Sequence, residues 1–173
     1  MSIRGKFSIG EMFPSFSWPL ASGGRVTPAA NPGWGLIVIY RGKHCPLCKR
    51  YLAELEKLKD EFASLGVAIW ALSADPIERA QADAVEHGWT FPVLADLGEG
   101  QMRQLGLYMS TPRTDAETDR NFAEPAIFVL NPRGRVQVVD LSNAAFVRPD
   151  LKAVLNGLRF IIANTYPARG TAD

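Results

Sequence analysis

Leu36-Ile37-Val38-Ile39-Tyr40-Arg41-Gly42-Lys43-His44-Cys45-Pro46-Leu47-Cys48-Lys49 is the stretch of this 173-residue chain that decides its fold. The unbroken apolar run at its start reads as a central strand buried on both faces. The residues after it begin a helix. Pro46 stands in the first turn, where a missing N–H costs nothing, and Tyr51, Leu55, Leu58, Phe62 and Leu65 recur at spacings of four and three until Gly66 stops the run. Both of the chain's cysteines fall at the junction as one Cys-x-x-Cys pair. A helix N-terminus presents unpaired N–H groups and the positive end of the dipole, and Arg41, Lys43 and Lys49 add cations, so a thiolate is favoured there. Positions i and i+3 of a helix start bring the two α-carbons to about 5 Å, inside the ~4.4–6.8 Å window of a disulfide, so the pair can close without unfolding. Cys45, nearer the helix end, is expected to be exposed and to attack, and Cys48 to resolve the mixed disulfide that forms.

Outward from this junction the chain alternates strand and helix. Residues 67–72 read as a second buried strand, and Ser73-Ala74-Asp75-Pro76 starts a helix that Gly88 ends after His87. A third short strand is predicted over 91–95 and a brief helix over 102–107, and then a polar surface loop, 110–124. Residues 126–130 and 136–141 flank Asn131-Pro132-Arg133-Gly134, the composition of a turn between antiparallel strands. Leu151, Val154, Leu155, Leu158, Ile161 and Ile162 keep helical spacing in a terminal helix. Before residue 36, turn-forming residues between Phe13, Phe16 and Trp18 predict a short strand or hairpin that covers the domain. Parallel units first and a hairpin with a helix last imply an α/β fold with a mixed sheet and helices on both faces.

Composition narrows function by exclusion. Lys and Arg total 19 against 18 Asp and Glu, a formal net charge of +1, so no global field recommends nucleic acid or an anionic membrane. No apolar stretch approaches the ~20 residues that span a bilayer, and Met1 to Gly10 lacks the apolar core of a signal peptide, which makes the cytoplasm the expected location. In a reducing compartment two cysteines at this spacing read as catalytic or metal-binding rather than as a permanent staple. Structural zinc takes four nitrogen or sulfur ligands, and with two cysteines and two histidines no metal is expected. His44 reads either as an imidazolium that favours the neighbouring thiolate or as an exposed histidine without a role, and His87 as a cation at a helix C-terminus.

Four segments, Tyr40 to Lys49, Ala71 to Pro76, Phe91 to Asp96 and Ile127 to Gly134, resemble in order and spacing the thioredoxin fold. More specifically they resemble the peroxiredoxin-like branch related to the alkyl hydroperoxide reductase C and thiol-specific antioxidant family, over roughly residues 10–160. The resemblance implies one thioredoxin-like domain over residues 1–173, with an N-terminal extension to about residue 35 and a short tail from about residue 165. It implies no bound cofactor and electrons from a thiol donor such as thioredoxin or a glutathione system. The substrate is then a protein disulfide or a hydroperoxide, and a homodimer stays open. It also makes Pro125 the cis proline beside the dithiol, with the backbone of Glu124 free to pair with a substrate segment; residue chemistry alone favours a trans bond. The match to a peroxidase breaks at specific places. Cys48 takes the peroxidatic position, but Cys45 stands where a hydroxyl residue is usual, Arg41 where a proline is, and Pro125 where a later arginine is.

Three functions remain in view. The preferred one is a thiol-disulfide oxidoreductase that uses Cys45 and Cys48, with Arg41, His44, Pro46, Glu124 and Pro125 as supporting or substrate-binding residues. The second is a thiol peroxidase in which Cys48 attacks, Cys45 resolves and Arg41 supplies the missing cation. The third is a low-turnover redox sensor or protein-binding module whose contact surface is the loop 110–124.

Overall fold

The computed structural model describes residues 8–172, so part of the stretch used for the signal-peptide expectation, residues 1–7, lies outside the described residues, as does Asp173. Five strands form the central sheet in the order β5-β4-β3-β8-β9. Strands β3 (Trp34–Ile39), β4 (Val67–Leu72) and β5 (Val93–Leu94) run parallel, and β8 (Ala126–Leu130) and β9 (Val136–Leu141) complete it antiparallel. Helix α1 (Pro46–Ser64) crosses from β3 to β4 and α2 (Ile77–His87) from β4 to β5, the connection that parallel neighbours require. The mixed α/β sheet expected from the sequence is therefore what forms.

Alternation along the strands divides the interior into two cores. Leu36, Val38 and Tyr40 of the β3 segment join Ile127 and Val129 of β8 beneath α1, α2 and α4 (Leu151–Asn164). Ile37 and Ile39 point the other way, into a second core with Phe128, Trp70 and Leu72. That second face is closed by α3 (Glu99–Gln104) and by the N-terminal segment, where β1 (Trp18–Pro19) and β2 (Arg25–Val26) make the expected hairpin. Phe13 is buried there and meets Phe128 edge-to-face at 5.4 Å between centroids.

Three expectations are corrected. The third strand is only Val93–Leu94, shorter than 91–95. The brief helix runs over Glu99–Gln104 instead of 102–107, because Gly106 adopts φ +68° and so ends the helical path before Leu107. The polar loop is bracketed by a small antiparallel pair, β6 (Met109–Ser110) and β7 (Phe122–Ala123), which tethers both of its ends.

Candidate active site at the start of the first helix

The turn Gly42-Lys43-His44 carries the chain from the end of β3 into α1, and a buried carboxylate from the next strand–helix junction shapes it. Asp75 accepts the Lys43 backbone N–H at 2.7 Å and one N–H of Arg79 at 3.3 Å. Gly42 has φ +130°, and a Cβ at that position would lie 2.9 Å from Asp75 Oδ2, so the turn needs glycine twice over. Its carbonyl accepts the Cys45 N–H at 3.1 Å. The backbone therefore arrives at Cys45 extended, and Cys45 becomes the N-cap of α1 with Pro46 as the first helical residue.

A cap normally accepts the N–H of the third helical residue through a side-chain oxygen. Here sulfur does it: Cys48 N–H lies 3.2 Å from Cys45 Sγ. A hydrogen bond from the Cys48 thiol, and then this backbone N–H with the guanidinium groups of Arg41 and Arg148, outweigh burial and bring the Cys45 thiol down to about 6. Cys48 moves in the opposite sense, pushed up because its proton is committed to Cys45 and because the site is dry, with Arg148 pulling weakly against both. The two thiols are free, so the first proton leaves from Cys45 and the remaining one bridges the pair.

Arg148 has no counterpart in the sequence analysis. It enters from the segment between β9 and α4, where its Nη2 donates to Cys48 Sγ at 3.3 Å and to the Ala145 carbonyl, and its guanidinium stacks 4.9 Å over the Tyr51 ring. Tyr51 in turn donates its hydroxyl to the Pro149 carbonyl at 2.7 Å, fixing that segment to α1. A hundred residues separate Arg148 from Cys48, and only a lone basic residue ahead of Pro149-Asp150 marked the place.

The other predicted residues are near but differently used. Arg41 does not reach Cys48; it pairs with Glu117 at 3.5 Å and Glu124 at 3.3 Å and lies 4.8 Å over the Phe122 ring, so the cation beside Cys48 is Arg148 instead. His44 sits edge-on against Phe122 at 4.7 Å, and burial together with the charge of Arg41 lowers its pKa, which leaves a neutral ring and not an imidazolium. Neither of its nitrogens has a partner among the described residues, and the ring is part-buried, not exposed. Pro46 is exposed at the head of α1. His87 stands in the last turn of α2 as expected, stacked on Trp89.

Pro125 is trans, as is every peptide bond among the described residues, so the cis expectation is set aside. The backbone of Glu124 is likewise engaged: its N–H donates to the Tyr108 carbonyl at 2.8 Å, extending the β6–β7 pair, and its carboxylate accepts the Ser110 hydroxyl at 2.6 Å. The loop between those strands is tied to the dithiol turn through Arg41–Glu117 and to α2 through Arg79, whose Nη1 lies 3.0 Å from Asp119. Cys45 also departs from expectation. It is 1% exposed and Cys48 0%, both packed in the core that holds Tyr40, Leu52 and Leu155. The β9–α4 segment folds back over the head of α1 and brings Arg148 onto Cys48 Sγ, a long-range contact that local sequence does not encode.

Residues 9–139 match the AhpC/TSA family. The chain belongs to that family. Among curated relatives, a peroxiredoxin of Treponema denticola is 28% identical over 141 residues, 76% of this chain and 62% of that protein. The thiol-disulfide oxidoreductase ResA of Halalkalibacterium halodurans is 34% identical over 76 residues, 43% of each chain. The aligned regions thus span less than two thirds of either relative. Solved structures share the fold: peroxidoxin BcpB of Mycobacterium tuberculosis superposes with a TM-score of 0.72 at 20% identity, covering 90% of this chain and 99% of that one. A mutant of peroxiredoxin 6 of Arenicola marina gives 0.76 at 19% identity, covering 92% and 76%. These likenesses support the thioredoxin-like, peroxiredoxin-type arrangement of this family member. No helix among the described residues is long and apolar enough to cross a membrane.

Proposed function

We propose that this AhpC/TSA-family protein is a thiol-disulfide oxidoreductase in which Cys45 attacks and Cys48 resolves. The observation that carries it is the sulfur N-cap: Cys45 Sγ accepts both the thiol and the backbone N–H of Cys48, which stabilises thiolate on Cys45 and keeps the proton on Cys48. The Cys45 thiolate attacks one sulfur of a substrate disulfide, forming a mixed disulfide while the other substrate sulfur leaves and takes a proton from solvent. Cys48 then loses its proton and attacks Cys45 Sγ. The second substrate thiol leaves, two electrons have passed to the substrate, and the protein holds a Cys45–Cys48 disulfide. A thiol donor of thioredoxin or glutathione type returns the two electrons. Arg148 steadies the charge that develops on Cys48 as it attacks, and Asp75 holds the turn that delivers Cys45 to the N-cap of α1.

One observation favours a second reading. Arg148 donates directly to Cys48 Sγ, an arrangement that suits attack by Cys48 on a hydroperoxide. The thiolate takes the terminal oxygen, the O–O bond breaks, the alcohol or water leaves protonated, and Cys45 condenses with the sulfenic acid to give water and the same disulfide. Trapping separates the two. With a disulfide substrate, Cys48→Ser accumulates an adduct on Cys45 that Cys45→Ser does not form. If Cys48 is peroxidatic, stopped-flow oxidation by hydrogen peroxide outpaces free cysteine and survives in Cys45→Ser while disappearing in Cys48→Ser. A Cys48→Ser protein that reduces disulfides at the wild-type rate with no adduct excludes the preferred mechanism.

A further inference from the structure

Helix α2 carries a second cluster of chemistry-bearing side chains, outside the dithiol site. Asp83, Glu86 and His87 stand at positions i, i+3 and i+4, which an α-helix brings to one face. A carboxylate oxygen from each acid and a ring nitrogen of His87 all lie within 4.8 Å of one another. Asp83 Oδ1 and His87 Nδ1 are 3.1 Å apart. Two ligands bonded to a tetrahedral zinc ion at about 2.0–2.2 Å are roughly 3.3–3.6 Å apart, so this pair is already close to the spacing of a chelate. Stacking on Trp89, with 5.1 Å between centroids and 22° between planes, holds the imidazole in that direction.

Acidic residues on a helix surface are ordinarily a solvated face, and Asp83 sets this group apart. Its side chain is 0% exposed, yet neither carboxylate oxygen accepts a hydrogen bond among the described residues. A carboxylate taken out of water normally meets donors or a cation directly at its oxygens. Asp83 has charge only at a distance. The Lys43 ammonium stands 3.8 Å from Oδ1, and His87 Nδ1 also faces the Asp83 carbonyl at 2.9 Å. The same ammonium pairs with the exposed carboxylate of Glu86. One lysine from the dithiol turn thus bridges both acids, and it does so without reaching Asp83 at hydrogen-bonding distance.

We infer that Asp83, Glu86 and His87 form a binding site for a divalent transition-metal ion, Zn²⁺ by preference, which enters by displacing the Lys43 ammonium. One imidazole and two carboxylates make a three-ligand set that leaves a position for water. Imidazole selects zinc-like ions over Mg²⁺ and Ca²⁺, which are held by oxygen. Ligation supplies the direct cation contact that Asp83 lacks, and it exchanges the hydrogen bond between His87 Nδ1 and the Asp83 carbonyl for a metal bond. The count of two cysteines and two histidines that argued against structural zinc took no account of carboxylates. This site goes beyond the disulfide-exchange reading and does not depend on it.

The test is calorimetric titration of the full-length, tag-free chain carrying Cys45→Ser and Cys48→Ser with Zn²⁺, so that no thiolate competes for the ion. One equivalent is expected to bind, and Mg²⁺ should bind at least about tenfold more weakly. Adding Glu86→Gln or His87→Gln should weaken Zn²⁺ binding by about 10–100-fold, a loss that even the outer partners of a ligand produce. Glu86 is 57% exposed, so its substitution tests the site without threatening the fold. Asp83→Asn should give the same loss. Lys43→Met removes the competing ammonium and should tighten binding roughly two- to fivefold, the ratio carried by a partly exposed ion pair. Zn²⁺ binding that Glu86→Gln and His87→Gln leave unchanged overturns the inference, as do equal affinities for Zn²⁺ and Mg²⁺. An affinity unchanged or reduced in Lys43→Met overturns the exchange of one cation for the other and makes the cluster an ion pair only.

Discussion

At the scale of the residue, the decisive feature is that a sulfur occupies the N-cap. Cys45 gains a thiol donor, then a backbone N–H and two guanidinium groups, and these overcome the cost of burial. Alkylation of Cys45 in the reduced protein is therefore expected to rise with pH around a midpoint near 6, well below the ~8.5 of a free cysteine. A midpoint of 8 or above, tracked by mass spectrometry of the modified peptide, contradicts the capping arrangement. The same shift has a thermodynamic consequence. A depressed thiol contributes stability that is complete above the unfolded value and disappears as pH falls through about 6. Urea midpoints of the reduced protein should fall over that window, and those of Cys45→Ser should lack this component.

Arg148 belongs to the same scale. It contributes to the lowering of Cys45 and opposes the rise of Cys48. Arg148→Ala is expected to move the alkylation midpoint of Cys45 upward by about half to one pH unit, in keeping with roughly 1 kcal/mol for a partly exposed charge contact. Arg148→Lys should recover part of it. An unchanged midpoint in Arg148→Ala would confine the arginine to packing against Tyr51. Cys45, Cys48 and Pro46 were readable because spacing and helix chemistry are local. Arg148 was not, because nothing in its neighbourhood names the sulfur a hundred residues away.

At the scale of the element, α1 is placed by the turn before it, and the turn by Asp75. Asp75→Ala removes the acceptor of the Lys43 N–H and of Arg79, and a buried hydrogen bond lost in this way costs roughly 1–3 kcal/mol. Asp75→Asn keeps an acceptor for Lys43 and should retain more than half of that stability. Gly42→Ala combines an unfavourable backbone conformation with an approach of 2.9 Å to Asp75, and strain of this kind costs about 1–3 kcal/mol. Urea unfolding of the reduced proteins measures both, and wild-type midpoints would show that the turn relaxes elsewhere. Elements with strong periodicity, α1, α4 and the apolar strands, were predicted closely. The small pair β6–β7 was not, because two residues a side hold no period, and it is that pair which engages the Glu124 N–H.

At the scale of the molecule, one sheet separates two cores, and both cysteines belong to one of them. Cys45 and Cys48 pack with Leu52, Leu55 and Leu155, while Phe128, Phe13 and Trp18 fill the far side. A truncation on the far side should therefore destabilise without changing thiol chemistry. Phe128→Ala is expected to cost about 3–5 kcal/mol in urea unfolding while the alkylation midpoint of Cys45 stays where it was. A shifted midpoint would show that the two cores are coupled through the sheet.

By itself the sequence determined the strand-to-helix junction, the pairing of its two cysteines, the mixed sheet and the order of its segments. All of these arise from periodicity, composition and spacing within a few turns of chain. Only the tertiary structure decided which cation meets Cys48, that both sulfurs are covered, that Pro125 is trans and that the Glu124 amide is already engaged. Those outcomes depend on where the β9–α4 segment and the β6–β7 pair come to rest. Their positions are set by packing and by hydrogen bonds between residues far apart in the chain, which no local pattern records.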